Sequence, residues 1–161
     1  MKKEIGVVKV LLSLLTGAAA GAAGVSYFKG KVIKDQQKKV EKFKRYYGLL
    51  NQWLILKHQG VSLDKYFIDN SYKTIAIYGM GEMGNRLLED LKSSDIIVKY
   101  AIDKEAGNTY SDIDVRDMED ELDPVDAIVV SAVFAYEEIK DDLEEKVDYP
   151  IVSLEDVIFE L

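Results

Sequence analysis

The residues best placed for chemistry are the three glycines of Gly79-x-Gly81-x-x-Gly84, inside the run KTIAIYGMGEMGNRLLEDLK from Lys73 to Lys92. A glycine turn between a strand and a helix can hold a phosphate. The first glycine allows the tight turn, the second lets backbone approach a pyrophosphate, and the third lets helix and strand touch. The helix N-terminus then offers free N–H groups and a partial positive charge. The cradle would comprise Gly79, Met80, Gly81, Glu82, Met83 and Gly84. Asp103 follows 19 residues after Gly84, where an acid would accept from a ribose 2′-hydroxyl and repel a 2′-phosphate, favouring NAD over NADP. Ser131, near the end of a later strand, is expected to point toward the same crevice. Opposing this, Glu82 sets a carboxylate in the first helical turn, where it would compete with a phosphate, and no Arg follows the second strand. The glycines could therefore serve packing alone, and both readings stand at this point.

Little else in the chain promises catalysis. There is no Cys and a single histidine, His58, which removes thiolate chemistry and disfavours a His-based metal site or a Ser-His-Asp triad. Tyr136 and Lys140 imitate the Tyr/Lys pair of short-chain dehydrogenases, but Ser131 lies too few residues upstream for that arrangement. Asp112, Asp114 and Asp117 read as an acidic loop before they read as a magnesium site. Asp141, Asp142, Glu144 and Glu145 read as a solvated helix face, and His58 as an exposed residue beside a helix stop. No catalytic residue and no metal ligand is assigned.

The elements that would position the glycines are legible from hydrophobic runs. TIAIY, Thr74 to Tyr78, is continuously apolar, as a buried parallel strand should be. Met83, Leu87, Leu88 and Leu91 mark a helix to about Ser93, and Ile96 to Asp103 a second strand, completing a βαβ unit. A short strand near Ile113 to Val115, a one- or two-turn helix at Met118 to Leu122, a strong strand at Asp126 to Val133 and a charged helix at Ala135 to Lys146 follow. PIVSL gives a last strand, and a helix capped by Ser153 ends the pattern. The expected fold class is α/β, a small Rossmann-like parallel sheet of about five strands with helices on both faces, preceded by an N-terminal transmembrane helix and a basic helical neck.

Charge divides the chain. Met1 to Gln59 holds 12 Lys/Arg against 3 Asp/Glu, and Gly60 to Leu161 holds 9 against 26, giving +9 and −17. So acidic a C-terminal part repels nucleic acid. Ile5 to Phe28 is apolar or small except for Lys9 and a few hydroxyls, and as a helix of about 22 residues it would reach roughly 33 Å, enough to span a membrane. A cleavable signal peptide and a buried helix are the alternatives. The lysines from Lys29 onward place the following domain on the cytoplasmic side of the cell membrane by the positive-inside rule, and the basic neck could lie on anionic lipid. Gly17 and Gly21 offer a small-residue face for a homodimer.

The expected organisation is a transmembrane anchor at 1–30, a basic helical neck at 31–71 and a Rossmann-like domain at 72–161. In the neck, Val40, Phe43, Tyr47, Leu50 and Leu54 recur at helical spacing, broadened by Trp53 and Leu56, and are expected to pack on the following domain or on a partner helix. Gly60 should stop that helix, and Ser62 should cap a short second one.

With IAIYGMGEMGNRLLEDL, VKYAIDK, VDAIVVSAV and YPIVSLEDV in that order, residues 72–158 resemble the Rossmann-like nucleotide-sugar-binding domain of bacterial surface-polysaccharide clusters. That domain also forms the N-terminal part of sugar N-acyltransferases and is found fused to glycosyltransferases. The resemblance implies a ligand pocket bounded by Gly79, Gly81, Gly84 and Asp103, with NAD or a nucleotide-sugar as ligand and polysaccharide-assembly enzymes as partners. Neither an acyltransferase repeat nor a glycosyltransferase domain accompanies it here. The function expected is therefore a membrane-anchored module that binds a nucleotide or nucleotide-sugar without catalysis. The rivals are an NAD-dependent oxidoreductase or nucleotide-sugar epimerase subunit that needs a partner, and a structural scaffold with an empty turn.

Overall fold

A computed structural model describes residues 31–109 and 111–161. The chain divides into two units, Met1–Tyr46 and Tyr47–Leu161. The expected membrane anchor and the Gly17/Gly21 dimer face lie outside the described residues. Among the described residues no helix is long and apolar enough to cross a membrane.

In the first unit residues 31–46 are helical, and Val40 and Phe43 are exposed. The second unit opens with helix α1, residues 47–58. It ends as Gly60 predicts: Gly60 takes φ +72°, its N–H reaches the Lys57 carbonyl at 3.1 Å, and the Val61 N–H reaches Leu56 at 2.9 Å. These are the two bonds of a Schellman cap.

The buried stripe of α1 is not the one that periodicity favoured. Leu49, Trp53 and Leu56 are buried, whereas Tyr47, Leu50 and Leu54 are exposed. The sequence offers two adjoining apolar stripes, and neighbouring elements decide which is covered. Lys57 pairs with Asp90 of the later helix at Glu82–Leu91, which rotates the Leu49–Trp53–Leu56 side inward. Helix α2, Asp64–Asp69, starts one residue later than expected, with Leu63 rather than Ser62 at its N-cap and no side-chain cap bond. Leu63 is wholly buried, so burial of that side chain, not a hydroxyl cap, fixes the entry of the helix.

Five strands follow: β1 Thr74–Tyr78, β2 Ile97–Ile102, β3 Val115–Arg116, β4 Ala127–Val130 and β5 Ile151–Ser153. They form one sheet in the order β3-β2-β1-β4-β5, and every pairing is parallel. This α/β architecture is consistent with the Rossmann-like expectation. Helix α3, Glu82–Leu91, connects β1 to β2; α4, Tyr136–Glu144, connects β4 to β5; and α5, Leu154–Phe159, closes the unit with the Ser153 hydroxyl accepting from the Glu155 N–H.

Alternation along the strands explains the layers. Ala76, Tyr78, Ile128 and Val130 face one side and pack with Ile139 and Leu143 of α4. Ile75, Ile77, Ala127 and Val129, also fully buried, turn to the opposite face, where α3 lies on β1 and β2. Between Ile75 and Ala76 the register with β2 shifts, because Val98 and Tyr100 are their partners and Lys99 is skipped. The bulge returns Tyr100 and Ile102 to the α4 side of the core and sets Ile102 level with Tyr78.

The expected helix at Met118–Leu122 is only a turn. The Asp117 N–H donates to the Asp120 carboxylate at 2.8 Å, and the Asp117 carboxylate accepts from the Glu119 N–H at 3.0 Å. Such local side-chain bonds compete with helix formation. Arg116 holds this acidic stretch. Its guanidinium stacks 4.4 Å from the centre of the Tyr100 ring, pairs with Asp114 and Asp123 at 2.8 Å each, and donates to the Glu121 carbonyl at 3.0 Å.

At the opposite end of the strands Asp126 ties β1 to β4. Its carboxylate accepts from the Lys73 N–H at 2.8 Å, from the Thr74 N–H at 2.7 Å and from the Thr74 hydroxyl at 3.0 Å. These bonds, those to the backbone of Thr74 and Lys73 foremost, hold its carboxyl below the ordinary carboxylate value. A group depressed in the folded state stabilises fully above its unfolded pKa, and loses that contribution as pH falls toward the lower folded one. We therefore predict that Asp126→Asn lowers the thermal midpoint by several degrees at neutral pH. The gap to the unmodified chain should narrow as pH drops below about 4, measured by circular dichroism melts across pH. A gap independent of pH would mean that the carboxylate charge has no part in the tie.

Candidate functional site at the glycine turn

The turn lies where the strand order reverses, between β1 and β4, whose carboxyl ends bound the crevice that open α/β sheets use for ligands. Each glycine of the motif has a separate reason. Gly79 takes φ +91°, a left-handed conformation that other residues adopt only with strain, and a Cβ there would meet the Ser131 hydroxyl oxygen at 3.0 Å. A Cβ on Gly84 would stand 2.0 Å from the Gly79 carbonyl oxygen. That atom is backbone in a tight turn and cannot yield. Gly81 differs from both: its φ is −71°, and a Cβ there would meet nothing within 4 Å. The protein itself requires glycine at 79 and 84. At 81 it leaves open space.

Gly81 is also the N-cap of α3 and has no side chain to accept from the first turn. The first intrahelical bond runs from the Asn85 N–H to the Gly81 carbonyl at 3.0 Å. The N–H groups just before it, of Glu82, Met83 and Gly84, therefore need acceptors from outside the helix. Glu82 is exposed, and Met80 and Met83 are buried beneath the turn.

Three side chains shape the loop. The Ser131 hydroxyl, almost fully buried, donates to the Gly79 carbonyl at 2.6 Å. Its role is a latch between β4 and the turn, and its lone pairs remain as acceptors. Asn85 donates to the Met80 carbonyl at 2.7 Å and the Gly81 carbonyl at 3.0 Å, holding both against the first turn of α3. Sequence reasoning passed over Asn85. Its place four residues after the N-cap glycine, in the first turn, was the available signal.

Asp103 sits level with the turn because of the β2 bulge. Its Oδ2 accepts from the Met80 N–H at 2.7 Å and its Oδ1 from the Glu105 N–H at 2.9 Å. Each carboxylate oxygen has room for a second donor, so Asp103 can hold the turn and still accept from a diol. The geometry thus joins all eight sequence-selected residues, from Gly79 through Gly84 with Asp103 and Ser131, around one strand end. It gives an anion-ready helix terminus beside an acceptor pair, the arrangement suited to a phosphate linked to a ribose or sugar. The Asp103 bond to Met80 and the exposed Glu82 make the mouth acidic, which disfavours ligands of high negative charge.

The remaining candidates scatter. Asp112 pairs with Lys92 at 2.7 Å, a hydrogen bond that lowers its own carboxyl pKa and raises that of the ammonium. Asp114 pairs with Arg116, and Asp117 accepts backbone N–H. No group of three His, Cys, Asp or Glu residues converges on a cation position among the described residues. The Tyr136 hydroxyl donates to the Ile151 carbonyl at 3.0 Å. Burial raises its pKa, the reverse of what a tyrosine acting as a base requires. His58, Asp141, Asp142, Glu144 and Glu145 are exposed. Comparison with protein-family models, with curated proteins and with solved structures returns no match.

The unequal roles of the glycines have a measurable consequence. Gly81→Ala should leave stability within about 0.5 kcal/mol of the unmodified chain, because reduced freedom of the unfolded chain and the weaker N-cap nearly cancel. Gly84→Ala should cost about 3 kcal/mol or prevent folding, since its clash is with backbone. Urea melts of the two variants check this. Equal losses would show that the 79–84 contact is not the constraint described.

Proposed function

We propose that the domain binds a nucleotide or nucleotide-sugar at the glycine turn, without catalysing a reaction on it. The observation that carries this reading is Gly81. It is the one glycine of the three that the protein's own packing does not require, and it caps a helix whose first N–H groups have no side-chain acceptor at a sheet switch point. A pyrophosphate there would take the first-turn N–H groups, and the adjoining sugar hydroxyls would donate to Asp103. NAD and nucleotide-sugars both present that combination.

The wider context rests on the sequence. The apolar run Ile5 to Phe28 supports anchoring to the cell membrane with the domain on the cytoplasmic side. The resemblance supports a place in envelope polysaccharide biosynthesis beside assembly enzymes. The non-catalytic reading is supported by Tyr136, Asp112, Asp114 and Asp117, each of which is engaged with other groups. A scaffold with an empty turn is the competing reading, favoured by the Asp103 bond that already engages the Met80 N–H.

Calorimetric titration of the full chain with NAD⁺, NADH, UDP and UDP-sugars separates the two. Saturable heat with at least one ligand, lost in Gly81→Asp, is expected. Position 81 has the space and the φ for that side chain, so circular dichroism should show the fold retained. The new carboxylate would occupy the helix terminus and repel phosphate. Silence across all ligands at millimolar concentration would favour the scaffold.

A further inference from the structure

Helix α1 gives one side to the domain core and leaves the other uncovered. Leu49, Trp53 and Leu56 are buried, while Tyr47, Leu50, Leu54 and Ile55 on the opposite side are exposed. Tyr47, at 74%, is the most exposed large apolar side chain among the described residues. Tyr47, Asn51 and Leu54 follow the four-then-three spacing of a coiled-coil seam, and Leu50 and Ile55 flank it.

The chemistry of this side says what covers it. Gly48 lies within helical backbone, where glycine is a poorer helix former than any residue but proline. A Cβ there would meet nothing within 4 Å, so the domain's own packing does not require the glycine. It leaves a notch beside Tyr47 that a neighbouring chain can enter. From Tyr46 to Leu56 no residue is charged, although Gly60 to Leu161 holds 9 Lys/Arg against 26 Asp/Glu. Two such acidic units repel each other unless they meet on a side without charge. Asn51 is exposed, and its amide carries both donor and acceptor, so it can pair with its own twin across a twofold axis.

We propose that α1 pairs with α1 of a second copy of this chain, the two helices parallel about a twofold axis. Every residue of the seam then meets its twin. Asn51 bonds to Asn51 and fixes the register, as a single amide does in such seams. Leu54 packs on Leu54, and the Tyr47 ring of one copy settles in the notch beside Gly48 of the other. A charged partner finds no counter-charge between Tyr46 and Leu56, and an anionic lipid surface finds no cation there. Five residues a side are far fewer than the roughly 20–30 of a standard interface, so the dimer is weak, in the micromolar range.

The chain has no cysteine, so single introduced thiols report contacts without background. Asn51→Cys, Gln52→Cys and Leu54→Cys are made in the full chain and mildly oxidised. Covalent dimers are expected at 51 and 54, and severalfold less at 52, which points away from the seam. Sedimentation equilibrium of the full chain, from micromolar to near-millimolar concentration, should show a reversible dimer. Asn51→Lys sets two ammonium groups face to face and should weaken it about tenfold or more, with the circular dichroism spectrum unchanged because the position is exposed. A monomer throughout that range would overturn the proposal, another segment or protein then covering α1. Equal cross-linking at 51, 52 and 54, or a dimer indifferent to Asn51→Lys, would overturn it too, because pairing through Gly17 and Gly21 would give that pattern.

Discussion

Everything at the switch point depends on the approach of α3 to the carbonyl of Gly79. A helix can begin this close to a strand end only if its third residue has no side chain, which is the condition Gly84 meets. That contact fixes the axis of α3 and so the direction in which its first N–H groups point. It also draws the turn against β4, where the Ser131 hydroxyl closes on the same carbonyl. One backbone oxygen is thus shared between a helix that must not touch it too hard and a hydroxyl that must. The left-handed φ of Gly79 is the geometry that presents it to both.

Electrostatics acts around this steric frame. The second unit is rich in carboxylates, and the described structure disposes of them singly. Asp126 binds backbone at the amino ends of β1 and β4, Asp103 binds backbone at the carboxyl end, and Arg116 gathers Asp114 and Asp123 over the Tyr100 ring. Burial raises the pKa of the Tyr100 hydroxyl, which donates to the Asp123 carbonyl at 2.7 Å. An aromatic ring and one guanidinium therefore hold the connection between β3 and β4, where the expected helix at Met118–Leu122 is only a turn.

The β1–α3–β2 unit was legible because each local signal agreed: a continuous apolar run, glycines at the turn, and a 3.6-residue period after it. The strand at Ala127–Val130 and the cap at Ser153 were legible for the same reason. What escaped was set by partners distant in sequence. The exposed stripe of α1 looked as apolar as the buried one, and only the Lys57–Asp90 pair and the packing of Leu49, Trp53 and Leu56 choose between them. The turn at Met118 was misjudged because aspartates that suit a helix start also suit bonds to their own backbone. In the site, all eight selected residues meet, but the attachment of Asp103 to Met80 depends on a one-residue bulge at Lys99 that no pattern announces.

The strand lengths carry a consequence of their own. The two margins of the sheet are β3, of two residues, and β5, of three, while the central strands are longer. Short margins present few unpaired backbone groups to another chain, so the sheet gives little template for strand addition or cross-β growth. Short margins thus disfavour edge-to-edge fusion of this acidic domain at high local density. Its helices and loops therefore offer the larger share of the surface open to assembly.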